Sequence, residues 1–223
     1  MASSGTTSFN ITIDEVIEEA YERCGVRTNS GNDIRSARRS LNLLFSEWGN
    51  RGINLWKVKS KTETLVNGQV TYNTPSDCND VLEAVVTVSG GTQQSLTKIS
   101  RSEYIAIPNK TATGTPSQYY VDRQITPTIS LYLAPDTSAV TNIFYYYLAR
   151  IEDAGAYTNT TDMPFRFFPC MVSGLAFYLS QKIAPDRVQA LKLLYEDELK
   201  RALEEDGQRT SVYISPNVYY PQG

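Results

Sequence analysis

The sequence predicts an α+β protein: a bundle of about four helices, an antiparallel β-sandwich or barrel domain inserted into it, and an extended C-terminal arm. Three observations carry this expectation. Apolar residues recur at helical spacing near both ends of the chain, and between about Gly52 and Arg150 they alternate with polar ones. The last seventeen residues, "GQRTSVYISPNVYYPQG", follow neither period and are punctuated by Pro216 and Pro221. The expected divisions are 1–51 for an N-terminal helical hairpin, 52–158 for the β domain, 159–206 for the helices that complete the bundle, and 207–223 for the arm.

After a Ser/Thr/Gly-rich start, "NITIDEVIEEAYERCG" carries a full set of helix signals. Thr12 and Glu15 form a capping box, Ile11 and Val16 are placed for a hydrophobic staple, and Gly25 stands at the stop. Ile13, Val16, Ile17, Ala20, Tyr21 and Cys24 share one face, with the acidic residues on the other or flanking it. A second helix is expected over 32–49, with Ile34, Ala37, Leu41, Leu44, Phe45 and Trp48 inward and Arg35, Arg38 and Arg39 outside. The two would form an αα-hairpin.

About six or seven short strands are expected next. Asn67-Gly68 between apolar flanks is the strongest short hairpin signal, and Gly90-Gly91 marks a second turn. Ser100 and Glu103 would cap a single helical turn inside this region. The helical period returns after Pro164. Pro169 should kink or restart the helix because it lacks an N–H. From Cys170 to Leu179 almost every residue is apolar, so this helix should be surrounded, and Gly174 would let a neighbour come close. Pro185 breaks the chain before a last helix with Val188, Leu191, Tyr195, Leu199 and Ala202 on one face.

Composition narrows the chemistry. A net charge of −3 argues against a dedicated duplex-binding protein. The chain has no histidine and three widely spaced cysteines, Cys24, Cys78 and Cys170, which removes Cys/His zinc sites and every His-dependent catalytic triad. Reduced, buried thiols from a cytoplasmic folding compartment are expected. No run approaches the ~18 apolar residues of a membrane span, and no apolar stretch follows a basic start, so a soluble chain without a secretion signal is expected. Phosphate-loop, dinucleotide and nucleophile-elbow motifs are missing, and nothing in the sequence asks for a cofactor or metal.

Several charged and aromatic groups still invite a role. Glu18 and Glu22 resemble a glycosidase pair in spacing but fall on the polar face of a helix, where a solvated surface is expected. Lys57, Lys59 and Lys61 alternate along one predicted strand and would point the same way, toward nucleic acid, an acidic neighbour, or solvent at a protected edge. Arg35, Arg38 and Arg39 form a basic face that could meet Glu18 and Glu22 of the adjacent helix or of another subunit. Tyr145 and Tyr147 share a strand face while Tyr146 takes the other, which suits core and interface better than a carbohydrate platform.

Two stretches resemble a known family. "GLAFYLSQKIAPDRVQALKLLYEDELKRALEEDGQRTS" is similar to the C-terminal half of head-to-tail adaptor proteins of short-tailed bacteriophages, also called tail tubular protein A or portal-docking tail accessory factors. "LWKVKSKTETLVNGQVTYNTPSDCNDVLEAVV" resembles the start of their β domain. The resemblance implies a non-enzymatic virion protein of the tail or neck, assembled in the bacterial host cytoplasm. It implies a ring, usually of twelve copies, between the portal protein and the tail nozzle. Packaged double-stranded DNA would pass through the lumen without sequence recognition, and a tail fibre or spike is a further candidate partner; no membrane is involved. The arm, anchored by Arg209, Tyr213, Ile214, Val218, Tyr219 and Tyr220, would then dock on the portal or an adjacent subunit, while Arg35, Arg38, Arg39, Lys57, Lys59 and Lys61 are candidates for subunit or DNA-channel contacts. The alternatives are a carbohydrate-binding or carbohydrate-degrading phage tail component and a neck completion protein of a long-tailed phage.

Overall fold

The computed structural model describes residues 5, 7, 9–27, 31–51 and 55–206. In chain order these form α1 (Ile13–Arg23), α2 (Gly31–Arg51), β1 (Val58–Thr64), β2 (Thr71–Asn73), β3 (Cys78–Val88), β4 (Gln93–Ser95) and β5 (Thr97–Lys98). Then come α3 (Arg101–Ala106), β6 (Thr113–Gly114), β7 (Gln118–Asp122), β8 (Thr128–Tyr132), β9 (Ala134–Pro135), β10 (Val140–Ala149), α4 (Phe168–Ile183) and α5 (Val188–Asp206). The protein is α+β, as its two hydrophobic periods predict. The proposed arm, with Arg209, Tyr213, Ile214, Val218, Tyr219 and Tyr220, lies outside the described residues.

The helices share one buried cluster. Ile13, Val16, Ile17 and Ala20 of α1, Leu41, Leu44 and Trp48 of α2, Cys170 to Ala176 of α4, and Leu191, Tyr195 and Leu199 of α5 all face it. α1 begins where its capping box requires: the Thr12 amide donates to Glu15 Oε2 at 2.7 Å and the Glu15 amide to Thr12 Oγ1 at 3.4 Å. It ends at Cys24 and Gly25, the latter at φ 76°, and Arg187 Nη1 donates to the Arg23 carbonyl beyond the last turn. α4 touches each of the other three long helices, consistent with its unbroken buried stretch. Pro169 does not kink it. It occupies the first turn of α4, after a 3₁₀ turn at Phe165–Phe167, where no intrahelical partner for its missing N–H is needed.

Between α2 and α4 the chain forms two four-stranded sheets, ordered β1-β10-β3-β4 and β2-β8-β7-β5, with β6 and β9 as a small parallel pair. Neither sheet closes, so the barrel alternative is replaced by a sandwich. Val81, Val86, Ile143, Tyr145 and Tyr147 from the first sheet meet Tyr72, Tyr119, Ile129 and Leu131 from the second in one core. The Gly90-Gly91 turn joins β3 to β4 as an antiparallel hairpin, with both glycines at positive φ. The Asn67-Gly68 turn behaves differently. Its flanking strands do not pair with each other: β1 pairs with β10 and β2 with β8. A tight turn is present, with the Gln69 amide bonded to the Val66 carbonyl at 3.1 Å, but the chain crosses there from one sheet to the other. The Tyr72 hydroxyl accepts from the Val66 amide at 3.0 Å and fixes this corner.

α3 is the capped single turn expected at Ser100 and Glu103. All three cysteines are free and buried; burial pushes the Cys170 thiol up to about 12, which makes it inert at neutral pH.

Candidate assembly surfaces

A strap over residues 154–160 lies between α1 and α2 and organises the helical surface. The amides of Ile13 and Asp14 donate to the carbonyls of Asn159 and Tyr157 at 3.0 and 3.1 Å. On the other side, Arg38 Nη1 donates to the Gly155 carbonyl at 2.9 Å and its guanidinium lies 5.7 Å from the Tyr157 ring centre. Asn42 Oδ1 accepts from the Ala154 amide at 2.8 Å. The strap therefore separates the acidic ridge of α1, with Asp14, Glu18 and Glu22 exposed, from the basic ridge of α2, with Arg35 and Arg39 exposed.

Asn32, Arg35, Arg38 and Arg39 line one open depression of about 410 Å³. Arg38 is committed to the strap and Arg35 Nε donates to the Gly31 carbonyl at 3.3 Å, while Arg39 has no hydrogen bond or ion pair among the described residues. No ion pair joins Arg35, Arg38 or Arg39 to Glu18 or Glu22 among the described residues.

The three lysines do not form one comb. Lys57 is in a 3₁₀ turn at Leu55–Lys57 that precedes β1, and its ammonium is buried against Asp162 with Glu152 at 3.9 Å. Burial draws this ammonium below its ordinary range against the opposing pull of Glu152. The alternation that pointed Lys57 outward fails because strand geometry starts one residue later. Trp56 Nε1 reinforces the connection by donating to the Asp162 carbonyl at 3.3 Å, so this pair ties the start of the sandwich to the segment leading into α4.

Lys59 and Lys61 do share a face of β1, opposite Tyr147 and Tyr145 in the register, at a strand paired on one side only. Lys59 Nζ donates to Asp77 Oδ2 at 2.9 Å and Lys61 meets Glu63 at 2.6 Å. Burial pushes Asp77 up, but the Lys59 contact outweighs it and holds the carboxyl below its usual value. Inward-leaning charges at an edge block pairing with another strand.

The Lys57 pair gives a test of this connection. Asp162→Asn is expected to destabilise the protein by about 1 to 3 kcal/mol, because it leaves a buried cation with only the more distant Glu152 as counter-charge, reduced from a fully buried pair by the solvent exposure of Asp162. Lys57→Met keeps the stem packing and should cost about 1 kcal/mol or less. Urea unfolding of both, and of the double variant, checks this: the double variant should resemble Lys57→Met.

One apolar surface has no helical or strand signature in the sequence. Phe9 and Phe165, 66% and 60% exposed, lie with ring centres 5.8 Å apart. Beside them a groove of about 560 Å³ is lined by Ile11, Phe168, Pro169 and Val172, with Glu15 and Arg23 among its polar margin. Arg166 Nε, 3.0 Å from Asp206 Oδ1, holds the end of α5 beside the same proline. Phe9 precedes the first capping residue, and Phe165 belongs to the 3₁₀ turn, so periodicity does not find them. At the sandwich, Ile125 in the β7–β8 turn is 90% exposed, Tyr104 and Tyr120 stack at 5.1 Å, and Tyr146 points outward while Tyr145 and Tyr147 are buried.

The carboxyl groups displaced from their ordinary range are Glu15, Asp77, Glu103 and Asp136, and all four are held below it. A glycosidase acid requires the opposite displacement. Among the described residues no group of three or more His, Cys, Asp or Glu could hold a metal, and no helix is long and apolar enough to cross a membrane.

Four helices around one core and a β-sandwich around another present charged ridges, an apolar groove and exposed turn residues as contact surfaces. The chain belongs to the SU10 adaptor protein family, whose model matches residues 11–219. It is a bacteriophage adaptor, a structural component of the virion that meets other head and tail proteins. No curated protein matches the chain.

Proposed function

We propose that this chain is a head-to-tail adaptor of the tail tubular protein A type, forming a ring between the portal and the tail nozzle. The ring continues the DNA channel, helps retain the packaged genome, and becomes part of the ejection conduit. The observation that carries this reading is the extent of the family match, which runs through the helices and the sandwich and on into the arm to residue 219. A ring needs two unlike surfaces on each subunit, since head-to-tail contacts close only when one patch meets a different one. The separated acidic and basic ridges of α1 and α2 supply such a pair.

In this reading residues 1–51 and 159–206 act as the ring-forming unit, 52–158 as the nozzle-facing unit, and 207–223 as the portal-facing arm. Ile125, at the tip of a sandwich turn, is a suitable nozzle contact. Electron microscopy of the protein mixed with its portal and nozzle tests the whole arrangement. A stacked double ring with nozzle density on the sandwich is expected. Nozzle contacts confined to the helices would overturn the division of labour, and no association with the portal would overturn the adaptor reading itself.

A further inference from the structure

We propose that the subunit-to-subunit contact of the assembly is an electrostatic clasp, in which Arg35 and Arg39 of α2 receive Glu18 and Glu22 of α1 from a second copy of this chain. The proposal deepens the ring reading above and rests on it.

The first support is spacing. Glu18 and Glu22 are four residues apart on one exposed helical ridge, and so are Arg35 and Arg39 on another. At 1.5 Å per residue each pair spans about 6 Å along its axis. Two helices laid side by side can therefore match both carboxylates to both guanidiniums in one register, with the planar fork of each arginine donating two hydrogen bonds to a carboxylate.

The second is that neither pair is used within the subunit. Other charges of the helical surface are paired within the subunit, as with Arg23 and Glu19 at 3.0 Å, Arg51 and Glu47, or Arg201 and Asp197. Glu18, Glu22 and Arg39 have no ion pair among the described residues, and Arg35 meets only a backbone carbonyl. The strap at 154–160 is bonded to the first turn of α1 and to Arg38 and Asn42 of α2, and contributes no charge to either ridge. Arg38, the third arginine of the depression, is held by that strap and acts as its anchor.

The third is what continues the basic ridge. Leu43 lies four residues beyond Arg39 on the same side of α2 and is 59% exposed. A leucine in line with two arginines offers a neighbour an apolar anchor next to the ion pairs, which suits a protein surface better than a phosphate backbone. A duplex would also meet the unpaired carboxylates Asp14, Glu18 and Glu22 across the strap and be repelled by them.

Charge reversal provides the test, read by light scattering and native mass spectrometry of the full-length protein, alone and with its portal. Arg35→Glu/Arg39→Glu and Glu18→Arg/Glu22→Arg should each weaken self-association by about tenfold or more, with unchanged circular dichroism. An equimolar mixture of the two variants should restore it, because each then supplies the charge the other lacks. Raising salt from about 0.1 M to about 1 M, which shortens the Debye length from ~10 to ~3 Å, should weaken the wild-type contact and spare none of the rescue.

Wild-type self-association in both variants, or variants that fail and are not rescued by mixing, would overturn the clasp. So would a wild-type protein that stays monomeric both alone and on the portal. Loss of binding to a short DNA duplex by Arg35→Glu/Arg39→Glu, with self-association intact, would reassign the ridge to the DNA channel. Variants that still form portal-bound rings would refute the clasp and leave the adaptor reading standing, whereas a wild-type protein that ignores the portal would remove that reading.

Discussion

Deleting residues 207–223 is expected to leave a folded protein that no longer joins portal-bearing capsids. Stability should change little, because both buried clusters and the last contact of α5, Arg166 with Asp206, lie before the cut. The new terminal carboxylate at Asp206 would add negative charge to a helix C-terminus, an effect of about 0.3 to 1 kcal/mol. Assembly should fall to background. The arm has six larger apolar side chains, Val212, Tyr213, Ile214, Val218, Tyr219 and Tyr220. At about 1.5 to 3 kcal/mol each, their burial on a partner would contribute roughly 9 to 18 kcal/mol. Ordering seventeen residues opposes this by about 1 to 2 kcal/mol per residue.

Side-chain burial alone does not hold such an arm, so its partner must also satisfy the backbone, as an added strand would. Pro216 and Pro221 favour an extended path for that purpose. In the proposed ring, each docked arm would raise the effective concentration of the next, so that a modest single contact would become a lasting joint. Tyr213→Ser, Ile214→Ser and Tyr219→Ser should then reduce capsid completion steeply while the ring itself persists. The measurement is the yield of filled, tail-bearing particles in complementation. A truncated protein that completes heads normally would sink the docking role of the arm.

What the sequence made legible follows from how local each feature is. The capping boxes at Thr12–Glu15 and Ser100–Glu103 involve residues three apart, and the buried face of α5 repeats within a few turns, so both can be read without knowing the partners. The Gly90-Gly91 hairpin joins strands that are neighbours in one sheet. Asn67-Gly68 has an equally strong turn signal, yet its strands separate because β10 and β8, some seventy and sixty residues later, are the better partners. Turn chemistry specifies the reversal, not the sheet that each strand enters. Lys57 shows the same limit, since one residue of 3₁₀ turn before β1 takes it from the strand and buries it against Asp162. The strap that separates the two charged ridges has no periodicity at all and is held by backbone carbonyls, which every residue carries.

Gly174 is the position at which a single side chain should do most damage to the fold. A Cβ there would stand 2.8 Å from Leu44 Cδ2 and 2.9 Å from Tyr195 Cε2, closer than packed carbons come. Leu44 can yield by changing rotamer, but Tyr195 cannot move freely: Trp48 Nε1 donates to its hydroxyl at 2.8 Å, and that hydroxyl donates to Glu47 Oε2 at 3.0 Å. Moving the ring would leave the buried Trp48 donor unpaired, at about 1 to 3 kcal/mol. For Gly174→Ala, a gain of about 1 kcal/mol in helix propensity opposes an overpacking cost of about 1 to 3 kcal/mol, so a small net loss is expected. Gly174→Leu adds three further carbons to a space that lacks room for one, and should remove more than about 4 kcal/mol, a large part of the roughly 5 to 15 kcal/mol that holds a domain of this kind together. Urea unfolding reads both, and Gly174→Ala in a Leu44→Ala background should lose only part of its penalty, because the Leu44 atoms are gone while Tyr195 Cε2 stays in place. An unchanged midpoint for Gly174→Leu would mean that α2 and α5 do not close on α4 this tightly, and the separation of the two ridges carried by α1 and α2 would lose its rigid support.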